Sequence, residues 1–245
     1  MRSIHDNLQA VRQRISRAVT AAGRESGSVT LLAVSKTHPA ALVEQALAAG
    51  QRAFGENYVQ EALEKMDALA GGNAAGAVAW HLIGPLQSNK TRVVAERFDW
   101  VHGVESEKIA RRLSAQRPDG MAPLNVLIQV NVSGEASKSG AARAAVPALA
   151  LAMSSMPRLK LRGLMAIPES GADAVRYREL KGLYERLKGE FRFDTLSLGM
   201  SDDLELAIAE GSTMVRIGTA IFGERRSRGN PVPPAPPLQK IRTAA

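Results

Sequence analysis

The chain has 245 residues, a length that favours one large domain or two small ones. Apolar residues make up 45% and charged residues 23% of it, a globular composition that excludes disordered and collagen-like classes. The sequence has no cysteine, which excludes disulfides, thiolate zinc sites and cysteine nucleophiles. No apolar run approaches the roughly 18–20 residues that cross a bilayer. Neither a membrane span nor a secretory signal is predicted, and we expect a cytoplasmic protein.

The net charge of +8 lies at the two ends of the chain. Residues 1–24 and residues 224–245 each carry five basic side chains and one acidic one, whereas residues 25–223 carry 22 of each. A nucleic-acid-binding fold is expected to carry its basic stripe on the folded body. Five phenylalanines, three tyrosines and two tryptophans also leave few stacking platforms for single strands. We therefore expect no nucleic-acid partner.

The first predicted element is an amphipathic helix over residues 3–22. Ile4, Leu8, Val11 and Ile15 recur every three or four positions, so they share one face of a helix. The apolar face is modest, and we expect it to pack on the body of the protein rather than on a membrane surface.

Short runs rich in β-forming residues follow this helix, and helical patterns lie between most of them. The candidate strands are 29–35, 51–54, 78–83, 100–104, 124–132, 160–166, 195–198 and 213–217. Alternating strands and helices predict a parallel sheet with helical cover. Eight strands favour an α/β fold of the TIM-like (β/α)8 barrel type over an open sheet.

The predicted barrel forms a single domain over residues 1–225. No amphipathic helix follows the eighth strand, so the helix at 3–22 is expected to fill the vacant place around the barrel. Residues 226–245 are rich in proline and basic side chains. This composition predicts a flexible, disordered tail after the barrel.

Lys36 stands at the end of the near-continuous apolar first strand. In a (β/α)8 barrel this end is the C-terminal rim, where active sites form. Partial removal of the amine from water favours its uncharged form, which can attack a carbonyl carbon. A solvated lysine at the rim is the alternative, and spacing alone does not separate the two.

Two further segments predict an anion site after the last two strands. Ser201 is expected to cap a helix whose free N–H groups face the mouth of the barrel. Gly218 and Thr219 offer backbone and hydroxyl donors after strand eight, where barrel enzymes commonly hold a phosphate. Together with Lys36, these segments predict either a pyridoxal phosphate (PLP) site or a Schiff-base aldolase.

Arg216 bears on that choice. By alternation with Val215 and Ile217, its side chain is expected to point into the barrel or toward its mouth. A guanidinium keeps its charge and cannot accept a proton, so a pyridine nitrogen facing it would stay unprotonated. The ring would then be a weaker electron sink than one paired with a carboxylate.

Other motifs carry a weaker signal. The segment GPLQSNKT (84–91) resembles a phosphate-binding P-loop, but Asn89 stands where the second glycine is needed. The four histidines show no ligand spacing, so no metal site is predicted. Asp202 and Asp203 are adjacent, and acids in a first helical turn complement the helix dipole without any catalytic role.

Five segments carry a resemblance to a known family. They are LLAVSKTHPA (31–40), FGENYVQEAL (54–63), WHLIGPLQSNK (80–90), LRGLMAIP (161–168) and LSLGMSDDLELAIAEGSTMVRIGTAIFGER (196–225). In these segments the sequence resembles the pyridoxal phosphate homeostasis proteins (YggS-like, PROSC-type). The resemblance implies a barrel similar to the N-terminal barrel domain of alanine racemase, with pyridoxal 5′-phosphate held as a Schiff base on Lys36.

The resemblance also implies which residues surround the cofactor. They are Lys36, Asn57, Met200, Ser201, Arg216, Gly218 and Thr219, with His81 and Met165 as further neighbours. Ser201, Gly218 and Thr219 would hold the phosphate. Arg216 would face the pyridine nitrogen, and Asn57 would lie beside the ring.

The implied function is intracellular vitamin B6 homeostasis, in which the protein buffers PLP or delivers it to apo-enzymes without an established reaction of its own. Alanine racemases take a second acid/base, a tyrosine, from an additional domain of the partner subunit, and we expect no such domain here. A racemase-type enzyme that uses Lys36 as a base is the alternative. A non-catalytic interaction module acting through the basic ends is a third possibility. No feature of the sequence indicates an obligate interface between two chains, so we expect a monomer.

Overall fold

A computed structural model describes residues 3–71, 78–133, 138–169, 171 and 173–224. The strands are β1 Thr30–Val34, β2 Ala53–Glu56, β3 Ala79–Leu82, β4 Trp100–Val104, β5 Leu124–Asn131, β6 Ala141–Ala142, β7 Leu159–Met165, β8 Thr195–Ser197 and β9 Met214–Ile217. The helices are α1 Ile4–Ala21, α2 Ala40–Ala48, α3 Val59–Leu69, α4 Thr91–Arg97, α5 Glu107–Gln116, α6 Val146–Ser154, α7 Ala174–Phe191, α8 Leu204–Ala209 and α9 Thr219–Phe222. The predicted tail, residues 226–245, lies outside the described residues.

The strands form a closed parallel barrel, as predicted. Their order is β4-β3-β2-β1-β9-β8-β7-β5, and a further pairing of β4 with β5 completes the ring. The two-residue strand β6 pairs with the end of β5 and stands outside the ring of eight. Because every strand runs the same way, the loops that follow the barrel strands meet at one rim.

The second strand begins two residues later than the sequence predicts. Gln51 is buried in the turn before β2, and its side-chain amide donates to the backbone oxygens of Leu31 and Ala53, each at 2.9 Å. The strand itself includes Gly55 and the charged Glu56, which are both buried. A charged residue does not fit the pattern of a buried strand, so the sequence did not predict that Glu56 belongs to β2. Its burial is tolerable only because a partner of opposite charge contacts it.

Within the described residues only the four-residue helix α9 follows β9, and helix α1 takes the place of a full-length helix there, between α8 and α2, as predicted. It begins with a capping box between Ser3 and Asp6 and buries the apolar stripe expected from the sequence. The helix packs against α2, α8 and α9. Asn7 Nδ2 donates to the backbone oxygen of Ile221 at 2.8 Å, which joins α1 to the short helix α9 after the last strand.

Among the helices that the structure describes, none is long and apolar enough to span a membrane.

Candidate functional site

A cavity of about 300 Å³ opens at the rim where the barrel strands end. All seven residues of the predicted cofactor site line it. The lining consists of Val34, Lys36, His38, Asn57, Ile83, Ile167, Met200, Ser201, Asp202, Arg216, Gly218 and Thr219. The structure therefore brings together side chains from the loops after β1, β2, β3, β7, β8 and β9.

Lys36 lies in the tight turn that follows β1 and is half-buried. The next residue, Thr37, has a φ of 65°, a conformation that is costly for a β-branched residue. Its backbone N–H donates to Glu61 Oε1 at 2.5 Å, a charge-assisted bond that holds the turn in this conformation. The position of Lys36 is thus fixed by its neighbour's contact with α3.

A buried cluster of charges lies directly beneath this turn. Lys65 Nζ donates to the backbone oxygen of Ser35 at 2.6 Å and to one carboxylate oxygen each of Glu56 and Glu61 at 2.7 Å. The Ser35 hydroxyl donates to the same Glu56 oxygen at 2.6 Å. Burial raises the pKa of Glu56, and the Lys65 charge opposes that shift. The cluster ties the end of β1 to β2 and α3.

The loop after β8 differs from the prediction, because Ser201 does not cap a helix. Helix α8 begins at Leu204, and Asp203 occupies its N-cap position without a capping bond to the helix. The Asp203 carboxylate instead accepts hydrogen bonds from the backbone N–H of Met200 and from the hydroxyl of Tyr177. Asp203 therefore shapes the turn that presents Ser201, a role that the sequence did not reveal.

Helix α1 holds the same turn from the other side. Arg14 donates to the backbone oxygen of Ser201 at 3.2 Å and forms an ion pair with Glu205. Arg14 is not among the apolar residues that recur along the predicted helix, so the sequence gave no sign that it contacts the rim.

Gly218 and Gly84 allow close approaches at the cavity. A Cβ at Gly218 would lie 3.1 Å from the backbone oxygen of Val34. A Cβ at Gly84 would lie 2.3 Å from the backbone oxygen of Asn57, closer than any side chain can come. The glycine that opens GPLQSNKT thus serves to place Asn57 and not to wrap a phosphate.

Arg216 is buried, and its guanidinium is held against the barrel wall. One terminal nitrogen donates to both the backbone oxygen and the hydroxyl of Ser197 at 2.8 Å, and the other donates to the backbone oxygen of Ala166 at 2.9 Å. Burial lowers the pKa of Arg216 to about 10, so the group stays charged at neutral pH. Two of its five N–H donors bond to none of the described residues, and the side chain lines the cavity.

His81 and Met165 do not line the cavity, which corrects their expected place beside the cofactor. Met165 is fully buried in the barrel interior. The His81 ring stacks on Trp100, with centroids 5.1 Å apart, and its Nδ1 lies 3.0 Å from Nε2 of His102. Both residues lie within strands, β3 and β7, and alternation along those strands turns their side chains inward.

The cavity residues fit a phosphorylated aromatic aldehyde. Lys36 supplies an amine, Ser201 and Thr219 supply hydroxyl donors, and Arg216 supplies N–H donors to an acceptor on a ring. Val34, Ile83, Ile167 and Met200 supply apolar surface for a ring, and the missing side chain at Gly218 leaves room beside the hydroxyls. Among the described residues, no group of three histidine or acidic side chains is placed to hold a metal ion.

Comparison with known proteins identifies the family of this chain. The family described as "Alanine racemase, N-terminal domain" matches residues 7–226. The chain is 58% identical to the pyridoxal phosphate homeostasis protein of Pseudomonas aeruginosa, over 92% of this chain and 97% of that protein. It is 54% identical to the protein of that name from Escherichia coli, over 92% and 98% of the two chains. The chain belongs to the pyridoxal phosphate homeostasis protein family.

Two solved structures share the fold of this chain. PipY of Synechococcus elongatus, in a structure with PLP bound, superimposes with a TM-score of 0.75 at 36% identity, over 90% of this chain and all of PipY. Alanine racemase of Corynebacterium glutamicum gives a TM-score of 0.61 at 18% identity, over 91% of this chain and 63% of the racemase. The likeness to the racemase shows a common fold and nothing beyond it.

Proposed function

We propose that this protein binds pyridoxal 5′-phosphate at the rim cavity and holds it for vitamin B6 homeostasis. The observation that carries the proposal is the convergence of Lys36, Arg216 and the Ser201 and Thr219 hydroxyls on one cavity. Condensation of Lys36 Nζ with the aldehyde carbon forms a Schiff base and releases one water. The names of the relatives and the PLP in the PipY structure support the same cofactor.

Each side chain has a distinct role in this proposal. Ser201, Thr219 and the Gly218 backbone bind the phosphate, beside the backbone of Met200. Arg216 donates a hydrogen bond to the pyridine nitrogen. Because a guanidinium can only donate, the nitrogen must accept with its lone pair and so stays unprotonated. Asn57 lies at the side of the ring. When bound, the cofactor supplies an aldehyde and an electron-withdrawing ring.

The proposed role is that of a carrier, which buffers PLP and delivers it to apo-enzymes. A racemase needs a second acid/base facing Lys36 across the substrate. None of the tyrosines in the described residues meets that need: the hydroxyl of Tyr177 bonds to Asp203, Tyr184 is buried, and Tyr58 is exposed outside the cavity. This placement favours a carrier over the racemase alternative.

The first test is an absorbance spectrum of the protein with PLP, before and after borohydride reduction. We expect a yellow band that reduction abolishes, and a pyridoxyl group fixed on the Lys36 peptide. Lys36→Ala should lack both. Lys160→Ala provides the matched control, because Lys160 is exposed at the opposite end of the barrel and should leave the band unchanged. A band that is equal in Lys36→Ala and the control would overturn the proposed site.

The carrier role is tested by cofactor transfer. The loaded protein should reactivate an apo-enzyme faster than an equal concentration of free PLP, and no such gain would refute delivery. Deuterium exchange at the α-carbon of amino acids, lost in Lys36→Ala, would instead support the racemase alternative. A monomeric state and a cytoplasmic location belong to the same proposal, and sedimentation and cell fractionation test them.

A further inference from the structure

A chain of buried polar groups extends inward from Arg216 through the barrel. It consists of Arg216, Ser197, His102 and His81, which we call the buried polar chain. Ser197 Oγ lies 2.8 Å from a terminal nitrogen of Arg216 and 3.3 Å from Nδ1 of His102. His102 Nε2 lies 3.0 Å from Nδ1 of His81. Ser197 and His102 have no exposed surface, and neither histidine takes part in the proposed cofactor contacts.

The direction of these hydrogen bonds follows from Arg216, because a guanidinium can only donate. Ser197 Oγ accepts from Arg216, so its own hydrogen points onward to Nδ1 of His102. If His102 donated to Ser197 instead, the buried serine hydrogen would have no partner in this chain, which is costly. Nδ1 of His102 is therefore an acceptor, and the His102 proton sits on Nε2.

The same logic continues one step further inward. The Nε2 proton of His102 donates to Nδ1 of His81, so the proton of His81 also sits on Nε2. Burial lowers the pKa of His81 to about 3 and holds the pKa of His102 well below its usual range, so both rings are neutral at neutral pH. All three hydrogen bonds thus point away from Arg216.

This direction has a consequence for the guanidinium. A hydroxyl that donates a hydrogen bond becomes a better acceptor, because hydrogen bonds in a chain polarise one another. Ser197 is therefore a stronger partner for Arg216 than an isolated serine would be. The bonds to Ser197 and Ala166 occupy three N–H donors and leave two donors for the cavity.

We propose that Ser197, His102 and His81 are positioning residues that hold Arg216 in the orientation in which it donates to the pyridine nitrogen of bound PLP. This inference rests on the proposed function, because it concerns how that cofactor is held. The buried polar chain holds the guanidinium on the side away from the cavity, so its two remaining N–H donors meet the ring in one geometry. The hydrogen bond to the ring nitrogen then sets how strongly the ring withdraws electrons.

The direct test is the ¹⁵N chemical shift of the ring nitrogen in the protein loaded with ¹⁵N-labelled PLP. Ser197→Ala and His102→Leu should both move this resonance and should raise the rate of cofactor release about tenfold. In His102→Gln the resonance should stay close to its wild-type position, because the amide has an acceptor oxygen for Ser197 and a donor NH2 group for His81. Resonances that coincide with the wild type in Ser197→Ala and His102→Leu would overturn the proposal.

Ser212→Ala is the matched control for the loss of a buried hydroxyl. Ser212 is fully buried, and its hydroxyl donates to the backbone oxygen of Leu198 at 2.8 Å without touching Arg216. Its ring-nitrogen resonance should coincide with that of the wild type. A shift equal to that of Ser197→Ala would show a general packing effect and would count against the proposal.

A second measurement needs no cofactor and is made on the wild-type protein, with core variants used only to assign its signals. Side-chain ¹⁵N spectra of the PLP-free protein should show both His81 and His102 protonated on Nε2 and not on Nδ1. Assignment comes from the signals lost in His81→Asn and His102→Gln. A proton on either Nδ1 would overturn the buried polar chain, whereas a wild-type protein that forms no adduct with PLP would refute the proposed function instead.

Discussion

Lys65 donates from Nζ to the backbone oxygen of Ser35, 2.6 Å away, in the residue that precedes Lys36. The proposed cofactor lysine therefore lies in a turn whose backbone is held by a second, buried lysine. Lys65 is itself neutralised by Glu56 and Glu61.

Lys65→Met should lower the free energy of unfolding by about 3–5 kcal/mol, because it leaves the buried carboxylate of Glu56 without its counter-charge. It should also reduce the yield of PLP adduct at Lys36, since the turn loses its anchor. Urea unfolding and borohydride trapping measure the two effects. Arg111→Met is the control: the pair of Arg111 with Glu107 is exposed, so its loss should cost about 0–1 kcal/mol.

The loss in Lys65→Met should depend on pH. Burial already raises the pKa of Glu56 beside Lys65, and without that charge the shift becomes larger. An acid whose pKa is raised in the folded state is stabilising when protonated, and its contribution falls as pH rises through the folded pKa. The variant should therefore approach the wild type in stability as the pH is lowered. A difference that stays constant with pH would contradict a charged-cluster origin.

Gly84→Ala should displace Asn57, because its Cβ would overlap the backbone of that residue. We expect a loss of about 1–3 kcal/mol in unfolding free energy, the usual range for overpacking, together with weaker PLP binding. Gly120→Ala serves as the control, since a Cβ there has no neighbour within 4 Å. Equal PLP affinities in the two variants would show that Asn57 does not need its present position.

Tyr177→Phe should loosen the turn that presents Ser201, because Asp203 loses one of the two donors that hold its carboxylate. PLP release should become about 3–10 times faster, as expected for one lost bond acting through a neighbour. Stopped-flow absorbance measures the rate. Tyr184→Phe removes a hydroxyl from another buried tyrosine of α7 that lies away from Asp203, and should leave the rate unchanged. Similar rates in both variants would rule out the role assigned to Asp203.

The histidines should make stability depend on pH in the acid range. Burial lowers the pKa of His81 from 6.5 to about 3, so between these values the unfolded state binds a proton that the folded state does not. Stability that is present above pH 6.5 is thus lost as pH falls, at about 1.4 kcal/mol per pH unit for one group. His81→Asn should show a slope that is shallower by this amount in urea unfolding between about pH 6 and 5.

A measurement near pH 8 is the reference for that comparison, because His81 is then neutral in both states and any difference reflects packing alone. Parallel pH profiles of His81→Asn and the wild type would mean that His81 takes up its proton in the folded state as well.

Much of the fold and of the site could be predicted from the sequence. Lys36 and Thr219 were placed by a rule that depends only on strand order, because loops that follow parallel strands share one rim. The family resemblance added Asn57 and Met200, whereas alternation along the last strand already directed Arg216 into the barrel or toward its mouth. These predictions need no knowledge of side-chain contacts.

The partners that hold these residues could not be predicted. The contact of Tyr177 with Asp203 joins positions 26 residues apart on different elements. His81 pairs in register with Trp100 and not with His102, so their hydrogen bond depends on the inward direction of both side chains in the closed barrel. Apolar patterns report which face of a strand is buried, but they do not report which buried polar groups meet.

The position of α1 has a consequence for the order in which the protein becomes functional. This helix precedes every strand, yet Asn7 bonds to a residue 214 positions later, and Arg14 bonds to one 187 positions later. A chain emerging from the ribosome makes α1 early and must hold it without these partners until the last strands are complete. The two loops that would bind the phosphate therefore gain these contacts only after β8 and β9 have been made, and a shorter nascent chain lacks the complete proposed site.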